Sequence, residues 1–487
     1  MKHITEVYSR TSRPIKVLQF GEGNFLRAFV DYAIDVANES GKFNGNVAVV
    51  IPIPADGIKK LFNEQNNLYT VCLRGKKEGQ VYEENRVITC IEKVLGAYGN
   101  YNEYMELAHL DSLEFIVSNT TEAGIVFDET DKFEAAPPTT FPGKLTKFLY
   151  ERFNFFKGDT AKGLTMLPVE LIEKNGENLK KCVLQFIDLW KLPSEFKTWV
   201  ENSCTFAGTL VDRIVTGFPR DSREDYAKEL GYEDNLIDIA EPFGLWVIGE
   251  NSIESKLPIN SNKLSVEFTN DIEVYKERKV RILNGAHTSM VLGAYLAGLD
   301  YVSQCMADSD IRKQLTQSVY SEIVPTVHMP LAKATEFADA VFERFENPYV
   351  KHALLSISLN SISKWRARVL PSLKDSLANT GKLPKWLTYS LAALLAFYRT
   401  TEAGAGCLIG YREGKPYEIH DDADKLAFIK TMAGESTAKY VSEILKRTDF
   451  WGEDLTQIKD LEQRVIHDLN QIEMAGIKNY INALGKN

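Results

Sequence analysis

Two things are missing from this sequence of 487 residues: cysteines at short spacing, and any long apolar run. The six cysteines (Cys72, Cys90, Cys182, Cys204, Cys305 and Cys407) are scattered, with no CxxC among them. In so long a chain this argues against a disulfide framework and a zinc site of familiar Cys and His spacing, so no metal is expected and the thiols should be inert. No uninterrupted apolar stretch approaches the ~20 residues of a membrane span. The opening MKHITEVYSRTSRPIKV also lacks the apolar core of a signal peptide, so a cytoplasmic protein is expected. Basic charge is scarce too: 57 Lys and Arg stand against 67 Asp and Glu, a net charge of -10. That argues against nucleic acid or a membrane surface as partner, since both require a basic patch. A small anionic substrate needs only local positive charge and stays open. Repeats of 20–50 residues and low-complexity linkers are absent as well, and no pattern specifies an oligomeric state.

What is present is an ordinary globular balance, 44% hydrophobic and 25% charged, in a chain too long for one core. IKVLQF (15–20) reads as a buried strand, followed by glycines and then by Phe25, Ala28, Phe29, Tyr32, Ala33 and Val36 at helical spacing. NVAVVIPI (46–53), LEFIVSNT (113–120) and GLTMLPVEL (163–171) are further strand candidates, with helical patterns such as ENLKKCVLQFIDLW (177–190) between them. This alternation predicts a parallel α/β sheet. Beyond about Val274 long amphipathic segments dominate, which predicts a mostly α-helical second domain. The expected division is 1–275 and 276–487.

The first strand-to-helix turn, FGEGNFLRAF, places Gly21 and Gly23 at the first two positions of a dinucleotide fingerprint. Gly21 permits a tight turn, and Gly23 lets the backbone approach a pyrophosphate at a helix N-terminus. The third glycine is absent, because Leu26 stands there. The alternative is a turn that only reverses the chain. An acidic residue for the ribose is not evident after the second strand, where Asp56 follows two prolines. No arginine stands there for a 2′-phosphate either, which favours NAD over NADP.

KVRILNGAHT (279–288) gathers Lys279, Asn284 and His287 at the mouth of an apolar segment. Hydride transfer between an alcohol and a nicotinamide needs a base for the hydroxyl proton and donors for the developing alkoxide. Lysine serves as such a base when burial or neighbouring cations favour its neutral form, and Lys276, Arg278 and Arg281 are neighbouring cations in sequence. Asn284 and His287 are three apart and share a helix face, with Lys279 expected in the preceding turn. The alternative is a capping Asn, a hydrogen-bonded core His and a solvated Lys.

These motifs resemble the long-chain polyol dehydrogenases, the mannitol dehydrogenase family. GEGNFLRA is similar to that family's GxGxFxRA signature, and KVRILNGAH to its KxxxxNxxH catalytic motif. KNG (174–176), VDRI (211–214) and SNTTEAGI (118–125) match as well. The resemblance runs from Val17 to the final helices. It implies an α/β Rossmann-type N-terminal domain, a helical C-terminal domain, no metal, and NAD(P)-dependent interconversion of ketose and polyol. By the resemblance, Lys279, Asn284, His287 and Asn175 are catalytic, with Asn175 a second oxyanion donor, and Asp212, Arg213 and Lys364 contact substrate. The cofactor set it implies is Leu18, Gln19, Phe20, Gly21, Glu22, Gly23, Asn24, Phe25, Leu26, Arg27, Ala28 and Phe29, with Ser118, Asn119, Thr120 and Glu122.

Within the family, VEL (169–171) stands where sugar-alcohol members carry CDN, and KWRAR follows Ser363, as in the uronate branch. A hexuronate differs from a hexose by one carboxylate, and arginine is the residue for a planar bidentate contact with it. Arg366 and Arg368, with Arg213, are therefore candidate carboxylate ligands; the alternative is that each pairs with a surface acid. A hexuronate or its aldonate is the expected small-molecule partner. A neutral polyol and a catalytically silent NAD-binding sensor are the rival readings. RFENPYVKH, with Arg344 and His352, reads as a structural loop; His3, His109, His328, His420 and His467 read as surface or core.

Overall fold

The computed structural model describes residues 1–54, 57–121, 123–349 and 351–486. The chain forms two compact units, Met1–Ile272 and Glu273–Asn487.

The N-terminal unit is built on a six-stranded sheet. Its strands are β1 (Ile15–Phe20), β2 (Asn46–Ile51), β3 (Ile91–Gly96), β4 (Phe115–Ser118), β5 (Thr165–Pro168) and β6 (Thr205–Phe206). All neighbours are parallel, in the order β3-β2-β1-β4-β5-β6. Val17 pairs with Phe115, and Leu18 with Ala48. The stretches Val47–Ile51 of β2 and Phe115–Val117 of β4 are apolar without a break because both faces are covered. Leu18, Phe20, Ala48, Val50 and Ile116 join one core with residues of α2 (Phe141–Phe155) and α3 (Asn175–Leu189). Val17, Val47, Val49, Phe115 and Val117 join the other, with the long helix α1. That helix opens as Asn24–Leu26, widens over Arg27–Asp31 and continues as Tyr32–Glu39. Three predicted strands are shorter than expected: β2 stops at Ile51, before Pro52, β4 covers only Phe115–Ser118, and β5 only Thr165–Pro168.

The sequence reading omitted the remaining strands of this unit. Tyr69–Lys77 and Gln80–Ile88 form an antiparallel hairpin within a four-stranded sheet, and Thr209–Asp212 belongs to a three-stranded one.

Among its described residues the C-terminal unit is helical, as expected, apart from one hairpin, Leu408–Arg412 with Lys415–Ile419. The helices that matter below are α4 (Gly285–Leu296), α5 (Leu331–Phe345), α6 (Ser361–Arg368), α7 (Lys385–Tyr398) and α8 (Leu461–Ala475). Apolar on nearly every side, α7 lies at the centre against α4 and α8. Among the described residues no helix is long and apolar enough to cross a membrane.

Candidate active site

In the N-terminal unit the strand order reverses at β1, between β2 and β4, which is where open α/β sheets bind ligands beyond their strand ends. Gly21 takes φ +117, which glycine adopts without strain, and its N–H donates to Val50 O at 3.0 Å. A Cβ there would also crowd Leu26 Cδ1 at 3.0 Å and Asn119 O at 3.2 Å. Gly23, in contrast, has an ordinary backbone and no atom within 4 Å of a would-be Cβ. The fold does not require glycine at 23, whereas close approach of a pyrophosphate to the helix start does. The turn thus fits a dinucleotide.

The cofactor set predicted around this turn is narrowed by burial. Leu18, Gln19, Phe20, Leu26, Ala28 and Phe29 are buried side chains of strand and helix. Arg27 is buried as well: it donates to Leu236 O at 2.6 Å and Asn24 Oδ1 at 2.5 Å and lies 3.9 Å from Asp238. It braces the turn from beneath and does not present its charge to a ligand. What remains accessible is the stretch from Glu22 to Phe25. Burial raises the pKa of the Glu22 carboxyl, which softens the charge it would set beside phosphates.

The loop after β4 closes the same edge. Buried Glu170 accepts from Ser118 Oγ at 3.1 Å and from both Thr120 N and Thr120 Oγ1 at 3.0 Å. Asn119 N donates to Phe20 O at 3.1 Å. Glu122 and Asp56 lie outside the described residues.

Asn175, expected as an oxyanion donor, is bonded within the fold. It is 2% exposed, and Nδ2 donates to Pro168 O at 3.0 Å, Glu170 O at 3.1 Å and Thr209 O at 3.2 Å. Its Oδ1 accepts from Gly176 N and Thr209 N, both at 2.9 Å. No donor is left for an oxyanion, and the residue staples α3 to the ends of two strands. Arg213, expected at the substrate, is likewise bonded within the fold. Its guanidinium donates to the carbonyls of Ala28, Glu241, Pro242 and Phe243 and lies 4.8 Å over the Tyr32 ring. It packs the N-terminal unit together. Asp212 is buried at the end of its strand.

In the C-terminal unit Lys279–Asn284 is a widened helical turn, in which Gly285 N reaches Val280 O five residues back. In a regular helix, residues five apart diverge; i→i+5 bonding stacks them. The turn therefore brings Lys279 round to the side of Asn284, and Asn284 shares its face with His287 three residues on. Lys279 and Asn284 are half-buried. The Asn284 amide has no hydrogen-bond partner among the described residues, the reverse of Asn175.

The expected helper cations are engaged elsewhere. Arg281 pairs with Glu277 at 3.0 Å and with Asp375, Lys276 pairs with Glu273 at 3.7 Å, and Arg278 stacks on Phe337 at 4.3 Å.

His287 stacks on Phe345 of α5, centroids 4.2 Å apart, and meets the His352 ring edge-on at 5.1 Å. Burial, followed by the charges of His352, Arg344, Arg368 and Lys364, holds its pKa well below the usual value, so the ring is neutral at neutral pH. Its Nε2 is buried without a hydrogen-bond partner among the described residues. Sequence reasoning missed Arg344, Phe345 and His352 as neighbours of this ring; RFENPYVKH was the visible signal.

Arg368 and Lys364 project from α6 and are half-buried, while Arg366 is exposed and packs on Gly452. Lys364 Nζ donates to Ile357 O at 2.9 Å. Burial lowers the pKa of Arg368, whose Nη1 makes a long bond of 3.5 Å to Thr288 Oγ1, and no carboxylate pairs with it among the described residues. The unit thus assembles a neutral imidazole, an unengaged amide and a lysine, with a desolvated guanidinium near the imidazole.

Residues 15–261 match the family model described as the mannitol dehydrogenase Rossmann domain, and residues 271–473 that described as the mannitol dehydrogenase C-terminal domain. The chain is 43% identical over 475 residues to an altronate oxidoreductase of Yersinia enterocolitica, covering 96% of each. It is 42% identical over 479 residues to one of Escherichia coli, covering 97% of each. Among solved structures it resembles D-sorbitol dehydrogenase in substrate-free form, with TM-score 0.79 at 20% identity over 96% of this chain and 95% of that one. It also resembles Pseudomonas fluorescens mannitol 2-dehydrogenase in ternary complex with NAD and D-mannitol, with TM-score 0.64 at 20% identity over 98% and 96%. At that identity the two structures speak for the fold.

Proposed function

The chain belongs to the mannitol dehydrogenase family and is an oxidoreductase of CH–OH groups, and we propose that it reduces D-tagaturonate to D-altronate reversibly with NAD, in cytoplasmic hexuronate (galacturonate) catabolism. The observation that carries an acid over a neutral sugar is Arg368, a half-buried guanidinium with no carboxylate partner among the described residues, near the neutral His287. A buried cation left without an anion is costly, and a substrate carboxylate offsets that cost. The 43% identity to an altronate oxidoreductase supports the same substrate class.

The Gly21 to Phe25 backbone and the Ser118 to Thr120 loop hold the dinucleotide, and its nicotinamide supplies or accepts the hydride. Asn284 donates to the carbonyl oxygen as negative charge builds on it. Lys279 gives that oxygen its proton in reduction and takes it back in oxidation. His287, being neutral, orients the reacting hydroxyl without competing for its charge. Arg368 and Lys364 hold the carboxylate end.

NADH oxidation compared across D-tagaturonate, D-fructuronate, fructose and fructose 6-phosphate tests this reading. Tagaturonate should give the highest kcat/KM. A preference for fructuronate would move the protein to the neighbouring epimer, equal turnover of fructose would make it a polyol dehydrogenase, and no turnover with tight NADH binding would make it a sensor.

A further inference from the structure

We propose that the hairpin of the C-terminal unit holds a zinc ion between Cys407, Glu418 and His420. Leu408 pairs with Ile419 across this hairpin, and Ile409 with Glu418. One step outward, that register sets Cys407 opposite His420, and alternation along the strand puts Glu418 on the same face as His420. A thiol, a carboxylate and an imidazole thus meet at the end of the hairpin, just beyond its last backbone pair. Their ligand atoms all lie within 4.8 Å of one another.

A tetrahedral zinc with bonds of about 2.0–2.3 Å holds its ligand atoms roughly 3.5 Å apart, so only small side-chain rotations separate this arrangement from coordination. Thiolate, imidazole and carboxylate form a set that suits zinc better than magnesium or calcium. Cys407 is 6% exposed while Glu418 and His420 are exposed, so the sulfur forms the inner wall and water reaches the fourth position. Gly404 makes room: a Cβ there would come within 2.9 Å of the sulfur. Zn²⁺ would displace the thiol proton and replace the 2.9 Å contact between His420 Nε2 and Glu418 Oε2. That contact alone, an exposed His and Glu, gives no reason for a cysteine opposite it.

The ion would act on the fold, outside the reaction. His420 O accepts from Asn360 N at 3.0 Å, and Asp421 Oδ2 from Ile362 N at 3.3 Å and the Tyr398 hydroxyl at 2.7 Å. Fixing His420 therefore fixes the start of α6, the helix that carries Lys364 and Arg368.

The test is titration of the chelator-treated full-length protein with Zn²⁺ and separately with Co²⁺, in wild type, Cys407→Ser, Glu418→Gln and His420→Ala. One equivalent per chain is expected, with a thiolate-to-cobalt charge-transfer band in the near ultraviolet and a zinc-dependent rise in Tm. Cys407→Ser should abolish the band, and each substitution should weaken binding by about 10-fold or more. His420 is exposed, so His420→Ala keeps the comparison valid if the cysteine variant folds poorly. Absence of stoichiometric binding would overturn the proposal. So would an ion that binds without the thiolate band or survives His420→Ala unchanged, since either marks an adventitious site.

Discussion

A Cβ placed on Gly285 would stand 3.1 Å from the carbonyl oxygen of Arg368, closer than nearly all such contacts. The first residue of α4 and the last of α6 touch through backbone, and this sets Arg368 near His287. Gly285→Ala gains helix propensity of up to about 1 kcal/mol but forces α6 away from α4. Stability should change by no more than about 1 kcal/mol, while KM for the acid substrate rises several-fold. An unaltered KM beside a normal urea midpoint would show that the close approach does not position the arginine.

Lys279→Ala should lower kcat by about 10²–10⁴-fold, the usual span of a general acid–base contribution. NADH affinity, read by fluorescence titration, should stay within a factor of two or so, because the residue acts on the substrate oxygen. Near-normal turnover would remove Lys279 from the reaction.

Gly23→Val meets no protein atom at its Cβ, so the thermal midpoint should hold. NADH binding should weaken by at least about tenfold, since the side chain fills the space of the pyrophosphate. Gly21→Val, at φ +117, should instead lower stability along with binding. The split between the two glycines separates a ligand requirement from a folding one.

Three arginines can be told apart by readout. Arg368→Ala should raise KM for tagaturonate about 10–150-fold, the worth of a charged hydrogen bond at roughly 1.5–3 kcal/mol, and leave residual fructose turnover alone. Arg366→Ala, exposed on the same helix, should change neither. Arg213→Ala should lower the denaturation midpoint before any specificity changes, because it strands the carbonyls of Ala28, Glu241, Pro242 and Phe243. Equal preference for the acid in the Arg368 variant would place the carboxylate elsewhere.

Stability should fall as pH rises from about 4 to about 7. Burial pushes the carboxyls of Asp31, Asp238 and Glu322 up to about 7 each, against about 4 in an unfolded chain. The folded protein keeps protons that the unfolded chain has released, so its advantage is complete below the unfolded value and is lost as pH passes through the folded one. Urea midpoints at about pH 5.5 and about pH 8 measure it, and Asp238→Asn should flatten the slope.

The parallel core and the glycine turn were legible because covered strands must be apolar throughout and a tight turn must carry glycine. The hairpin from Tyr69 to Ile88 was harder to read, since its second strand alternates exposed and half-buried residues with little apolar contrast. Asn175 and Arg213 carried the right chemistry in family motifs. What sequence could not disclose was that the carbonyls of Pro168, Glu170 and Thr209 engage the Asn175 amide and four others the Arg213 guanidinium. His352 failed the other way: it reads as a loop residue, yet the fold turns its ring edge onto His287. Saturation and juxtaposition are properties of three-dimensional neighbours, and neither leaves a periodic trace.

The widened turn at Lys279–Asn284 bears on how this chemistry can be inherited. It contains one residue more than a regular helix needs for the same rotation. A shorter ancestor or descendant lacking that residue would carry its lysine and asparagine four apart in an unbroken helix, still on one face. A single-codon insertion or deletion within this segment can therefore alter the letter count while leaving the pair aligned. What places the two side chains on one face is the angle between them, which the widened turn reaches over five residues and a regular helix would reach over four.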